Sequence, residues 1–144
     1  MSIWLHDRHI AEFYECDPAG IVHNSKYFIW FEQARFKIAK EAKIMECMKE
    51  EASNNDSYFF PVIEAECKFI RPIPLGTELI IKTQLKKPIV AKFAFKHVVT
   101  DAITGIEYAR AKTQVSICSD KRGMIMNLSP NLKQVIEKYL SRKE

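Results

Sequence analysis

Between Ala91 and Val99 the chain alternates, with Phe93, Phe95 and Val99 on one side and Lys92 and Lys96 on the other. A period of two with one apolar side is the mark of a strand that buries a single face. From Glu78 to Leu85 the pattern repeats, with Leu79, Ile81, Thr83 and Leu85 sharing a face. Ile106 to Ser119 reads as a long final strand, with Ala109, Ala111, Val115 and Ile117 together. Tyr58 to Ile70 is rich in β-forming residues and stops at Arg71-Pro72-Ile73-Pro74, before a turn near Gly76. Upstream the period changes. From Lys26 to about Met48 there is no Gly or Pro, and Tyr27, Phe31, Ala34, Ile38, Ala42 and Met45 recur at helical spacing. Phe28, Trp30, Phe36 and Ala39 add a second apolar side, which predicts a helix of ~30 Å buried on most of its faces.

The remaining elements follow from punctuation. Arg8 to Glu15 reads as a first strand, Cys16 to Gly20 as a loop, and Asn24 or Ser25 as the cap of the long helix. Glu50 to Ser57 is a polar loop, and Asp101 to Gly105 and Asp120 to Gly123 are turns. Ser129 caps a short C-terminal helix with Pro130 at its first position, running to about Leu140. This order predicts an α+β fold: a curved antiparallel sheet of about five strands wrapped around one long helix, the last four strands in a meander.

Composition narrows the function classes. The 144 residues fit one domain, residues 1–144, with 47% hydrophobic and 28% charged positions. The net charge of +4 is spread thinly, without the dense basic stripe of a nucleic-acid binder, and suits a small polyanionic ligand. Cys16, Cys47, Cys67 and Cys118 show no C-x-x-C spacing, and His6, His9, His23 and His97 form no metal-binding motif. No apolar run approaches the ~18 residues of a membrane span, and the first residues lack a signal-peptide pattern. The expectation is a cytoplasmic protein with free thiols and no metal.

The chemistry concentrates between Glu12 and Arg35. Asp17 is a carboxylate at a strand end, followed by the turn Pro18-Ala19-Gly20 and then a helix start near Asn24. The first N–H groups of a helix have no intrahelical acceptor and sit at its positive end. A carbonyl gaining negative charge is stabilised there, and a nearby carboxylate can attack that carbonyl or activate a water. Asp-Pro-Ala-Gly is also an ordinary turn, and the residues alone leave both readings open.

The run Asp17-Pro18-Ala19-Gly20-Ile21-Val22, with Tyr27, Trp30-Phe31-Glu32 and Ala34-Arg35, resembles the signature of the 4-hydroxybenzoyl-CoA thioesterase family of hot-dog proteins. The resemblance continues more weakly through Cys67-Lys68-Phe69-Ile70-Arg71-Pro72, Gly76 and Glu78-Leu79. It implies acyl-CoA hydrolysis, with Asp17 as the catalytic carboxylate and the backbone N–H at Asn24 polarising the thioester carbonyl. Gly20 would allow close approach of backbone and substrate, and Tyr27 and Trp30 would line or back the site, or serve as core aromatics. Many relatives carry Tyr or Tyr-His where this chain has His23-Asn24, so the acyl group and any role of His23 stay open. Family members pair as homodimers or homotetramers, with the site at the subunit junction and an acyl pocket near Phe60 and Val62. Coenzyme A belongs to the substrate, so no separate cofactor is implied. Its phosphates would meet exposed cations, with Lys87 and Lys92 as candidates beside Lys86, Lys121 and Arg122.

Other groups are weaker candidates. Cys16 has no cation nearby in sequence to lower its pKa. Glu32 lies inside the helix, and Glu64 and Glu66 fall on a strand face turned to solvent or a subunit contact. Three alternatives accompany the thioesterase reading: a non-catalytic acyl-CoA binder, a thioesterase for carrier-protein thioesters, and a hydroxyacyl dehydratase, whose paired helix Glu and loop His are not found.

Overall fold

The computed structural model describes residues 3–52 and 55–142; Met1, Ser2, Ser53, Asn54, Lys143 and Glu144, parts of the expected N-terminus, loop and terminus, lie outside the described residues. A strand β1 (Leu5–Ile10) is followed by a short 3-10 turn (Phe13–Glu15) and two helices, α1 (Asn24–Glu41) and α2 (Ile44–Glu51). Then come β2 (Tyr58–Phe59), β3 (Val62–Phe69), β4 (Glu78–Leu85), β5 (Lys92–Asp101), β6 (Glu107–Ser116), β7 (Cys118–Ser119), β8 (Gly123–Met124) and α3 (Pro130–Leu140).

Five strands form one antiparallel sheet in the order β1-β4-β5-β6-β3, and β2-β7-β8 form a smaller one. The inner face of the main sheet is the alternation already noted: Leu79, Ile81, Thr83 and Leu85 on β4, Phe93, Phe95 and Val99 on β5, and Ala109, Ala111 and Val115 on β6 are all buried. Against it α1 buries Tyr27, Trp30, Phe31, Ala34 and Ile38, a stripe at spacings of three and four. This is the hot-dog arrangement.

Several boundaries differ from expectation. The first strand lies at Leu5–Ile10 instead of Arg8–Glu15, because the chain turns at Phe13–Glu15 to sink the Glu15 side chain into the interior. The long helix stops at Glu41 after about 27 Å. Lys43 takes a left-handed φ of 61°, and α2 then departs to pack Ile44, Cys47 and Met48 against Leu132, Ile136 and Tyr139 of α3. It runs to Glu51, inside the stretch expected to be loop. The second apolar side of α1 is unevenly covered: Trp30 is buried and Phe28 partly so, while Phe36 is 48% exposed. Ser129 caps α3 as expected, its Oγ accepting the Leu132 N–H.

The expected four-strand meander is only partly present. β4, β5 and β6 follow one another, but β3 pairs with β6 at the far edge instead of with β4. The connection from β3 to β4 carries Pro72 and Pro74, which cannot donate to a ladder and prevent a tight hairpin. It crosses the end of the sheet instead, with Ile73 fully buried. Pro61 likewise separates β2 from β3, and the final strand breaks at Ile117, from which the chain moves to the small sheet.

Candidate active site

The crossover from β3 to β4 is what holds the Asp17 loop. Val22 N–H donates to Ile73 C=O (2.9 Å) and Leu75 N–H donates to Gly20 C=O (3.1 Å), with a bridge between Ile21 and Pro74. Within the loop, Cys16 bridges Val22, Asp17 N–H donates to Ile21 C=O (2.8 Å), and His23 N–H donates to Glu15 C=O (2.8 Å). The segment bearing Asp17 is therefore paired directly with the segment that becomes α1. Gly20 makes the turn at φ 79°, where a Cβ would meet no atom within 4 Å, so its requirement is the left-handed backbone and not space.

The half-buried Asp17 carboxylate accepts the Ala19 N–H on Oδ1 (2.8 Å), and its Oδ2 takes no protein donor among the described residues. Asn24 is the first residue of α1, so its N–H lies beyond any intrahelical acceptor. The cap differs from expectation: it is His23, not Asn24 or Ser25. His23 Nδ1 accepts the Ser25 N–H (3.1 Å) and lies 2.8 Å from Ser25 Oγ. Imidazole can do this because a ring nitrogen with a free lone pair accepts as a hydroxyl or carboxylate oxygen does. Cys16 beside this loop has its thiol pKa raised, by burial first and then by the charges of Glu15 and Asp17, which disfavours a thiolate.

Beneath the loop lies a cluster that no periodicity announced. Glu15 is 5% exposed. Its Oε1 accepts the Glu12 N–H (2.9 Å) and lies 2.7 Å from His9 Nε2, and its Oε2 accepts the Trp30 indole N–H (2.8 Å). Burial works to raise the pKa of this carboxyl, but the three hydrogen bonds and the nearby His9 together hold it below the usual value. Tyr27, one turn into α1, packs within 5.1 Å of Trp30 and edge-on to Phe69 at 4.9 Å between ring centres. Burial, with a smaller contribution from Cys67, pushes its phenol up to about 12.

Further along α1 a cavity of about 170 Å³ opens between the helix and the sheet, lined by Glu32, Arg35, Phe36, Phe60, Val62 and Phe93 among others. Phe60 and Val62 thus share one apolar space. It begins eight residues beyond Asn24, about 12 Å along the helix. Arg35 on its wall has its pKa lowered by burial, against the opposing charge of Glu32. Deeper still, His97 is fully enclosed, with Nδ1 at 2.8 Å from Thr83 Oγ1 and Nε2 at 2.8 Å from Thr113 Oγ1, and its ring stacks on Phe31. Burial, then the charge of Arg35, depresses its pKa to about 3, so the ring is neutral. His97 shares the parity of Phe95 and Val99, and that signal could have identified it as inward-facing.

Asp17 and Gly20 therefore lie in the loop paired with the entry to α1, whose first turn carries Asn24 and the buried Tyr27, and Phe60 and Val62 line the cavity by its second half. Lys87 and Lys92 do not join either group within one chain. Lys87 lies in the connection from β4 to β5, beside α3, and Lys92 opens β5 opposite Ser116. The Asp17 loop instead meets the other end of the strands, near Ile73, Leu79 and Val99. Among the described residues no cluster of three His, Cys, Asp or Glu could hold a metal ion, and no helix is long and apolar enough to cross a membrane.

A hot-dog sheet on a central helix, with an acidic loop hydrogen-bonded to that helix's N-terminal segment, is the frame of a class of thioester-processing proteins. The chain belongs to the thioesterase-like superfamily, whose model matches residues 11–136. It is 24% identical over 130 residues to an Aquifex aeolicus protein whose name proposes an esterase, a match spanning 90% of this chain and 95% of the relative. Among solved structures it resembles a 1,4-dihydroxy-2-naphthoyl-CoA thioesterase from Synechocystis, with a TM-score of 0.78 and 15% identity over 97% of this chain and 99% of the other. It also resembles a DHNA-CoA thioesterase from Staphylococcus aureus, with a TM-score of 0.78 and 17% identity over 94% and 89% of the two chains. At such identities these two likenesses speak for the fold.

Proposed function

We propose that this protein hydrolyses acyl-CoA thioesters to the free acid and coenzyme A, with Asp17 as the catalytic carboxylate. The observation that carries this reading is the pairing of the Asp17 loop with the entry to α1, where Cys16 bridges Val22 and Glu15 C=O accepts the His23 N–H. One oxygen of Asp17 is held by Ala19 and the other has no protein donor among the described residues. The thioester carbonyl would rest against the Asn24 N–H, where the positive end of α1 stabilises the developing oxyanion.

Two routes fit this arrangement. Asp17 attacks the carbonyl carbon, the C–S bond breaks to release coenzyme A as a thiolate that takes a proton from water, and a second water opens the acyl anhydride. Alternatively, Asp17 takes a proton from water as the water adds, and that proton passes to the departing sulfur. The apolar cavity at Phe60 and Val62 favours an acyl tail directed along α1, in a pocket that a neighbouring subunit would complete. Lys87 and Lys92, a strand length away in the same chain, would reach the coenzyme A phosphates only across a subunit junction. That geometry accords with a homodimer or homotetramer.

The test is release of coenzyme A from short, long and aromatic acyl-CoAs by wild type and Asp17→Asn in parallel. The variant should lose at least ~10²-fold in turnover while remaining folded. Undiminished turnover in the variant removes Asp17 from the chemistry. Tight binding without turnover would favour the non-catalytic binder, and turnover confined to carrier-protein thioesters would change the leaving group but not the mechanism.

A further inference from the structure

We infer that Glu15 is a positioning residue for Asp17, through a buried anchor that ties the catalytic loop to both β1 and α1. The inference rests on the reading of Asp17 as the catalytic carboxylate. Glu15 lies two residues before Asp17, and its carboxylate is met from three directions. His9 of β1 and the Glu12 N–H meet Oε1, and the Trp30 indole of α1 donates to Oε2. His9 is itself paired with Leu79 of β4, and its ring centre lies 5.1 Å from that of Trp30. Through its main chain, Glu15 accepts the N–H of His23, the residue that caps α1. One residue therefore fixes the loop to the sheet, to the middle of the helix and to the helix cap.

The choice of residue is informative. A carboxylate taken out of water destabilises the fold unless every lone pair it exposes to the interior is met by a donor. An apolar side chain at this position would fill the same space, but it could not bind Trp30 and Glu12 at once. Here the two oxygens of the carboxylate divide the task, one taking the main-chain N–H and the other the indole, donors that come from different elements. What the arrangement supplies is geometry: the loop carrying Asp17 cannot slide or rotate relative to the Asn24 N–H without breaking a buried hydrogen bond. Catalysis by positioning is sensitive at this scale, since a displacement of about 1 Å can lower turnover by about 10²-fold.

Glu15→Gln keeps the size but sets an amide N–H₂ against either the Trp30 or the Glu12 donor. The expected result is a fall in kcat of at least about 10-fold with KM changed less than about twofold, the pattern of an interaction that matters in the transition state. Hydrogen exchange of the main-chain N–H groups of Asp17 and of residues 19–23 should quicken in the same variant, while exchange in β4, β5 and β6 stays as in wild type. A residue that merely stabilises the fold would lower the melting temperature without this kinetic split. Trp30→Phe, which leaves the carboxylate and removes one donor, should show the same two changes to a smaller degree and serves if Glu15→Gln does not fold. Wild-type kcat in either folded variant, or unchanged exchange at Asp17 and residues 19–23, overturns the inference. A wild-type protein that turns over no acyl-CoA removes instead the reading on which the inference rests, and the exchange measurement still reports whether Glu15 anchors the loop.

Discussion

At the scale of single residues, two of the buried titratable groups have opposite requirements. Glu15 is kept charged by donors, whereas His97 is kept neutral by burial between two threonine hydroxyls near Arg35. Because the folded-state pKa of His97, about 3, lies below its ordinary 6.5, the unfolded chain binds more protons between those values. Stability should therefore fall as pH drops below 6.5, by up to about 1.4 kcal/mol per pH unit from this group. The Glu15 contribution is lost only below its ordinary value of 4.5, as pH falls through its lowered pKa. Urea unfolding between pH 6.5 and 5 lies above the Glu15 range, and His97→Gln should flatten the slope there. An unchanged slope would mean that another group carries the acid sensitivity. The catalytic candidacy of Asp17 came from the family resemblance, while the turn that follows it was legible from Asp-Pro-Ala-Gly. Glu15 was not, because its burial follows from a turn that brings it beneath Trp30 and not from any repeat in the sequence.

The elements differ most from their sequence pattern where two of them compete for one surface. Apolar spacing runs unbroken from Tyr27 to Met45, yet the helix divides at Lys43 so that α2 can turn its apolar side to α3. No Gly or Pro marks the break, and a lysine takes the left-handed backbone that glycine adopts without penalty. Lys43→Gly should consequently stabilise the protein by about 0.5–1 kcal/mol, read as a higher urea midpoint. A loss of stability would show that the Lys43 side chain contributes more than its backbone strain removes. Where breakers do stand in the sequence, at Pro61 and at Pro72 and Pro74, the structure interrupts its strands at the same places.

Over the whole molecule, the sheet ends on one side in β3, paired with β6 only, and Val62, Ile63 and Phe69 on it are 50%, 44% and 45% exposed. An edge of this length with apolar side chains is a surface that natural proteins cover. Self-association through this edge is the outcome we expect from light scattering, with Ile63→Lys shifting the mass toward the monomer. A monomeric wild-type protein would argue against a site completed by a second subunit. The same surface bears on specificity, since Val62 belongs both to this edge and to the cavity beside α1.

The pattern of apolar and polar residues was sufficient to determine which faces are inward on β4, β5 and β6, the stripe of α1, the cap of α3 and the loop that carries Asp17. Each of these is a local consequence of period two, period 3.6 or turn chemistry, and needs no knowledge of distant partners. Only the tertiary structure decided that β3 lies beside β6, that the long helix divides and that Glu15 is buried under the loop. Those outcomes turn on which of several equally apolar surfaces meet. That choice depends on the reach of the connections and on satisfying buried polar groups, and neither is written in the spacing of residues along the chain.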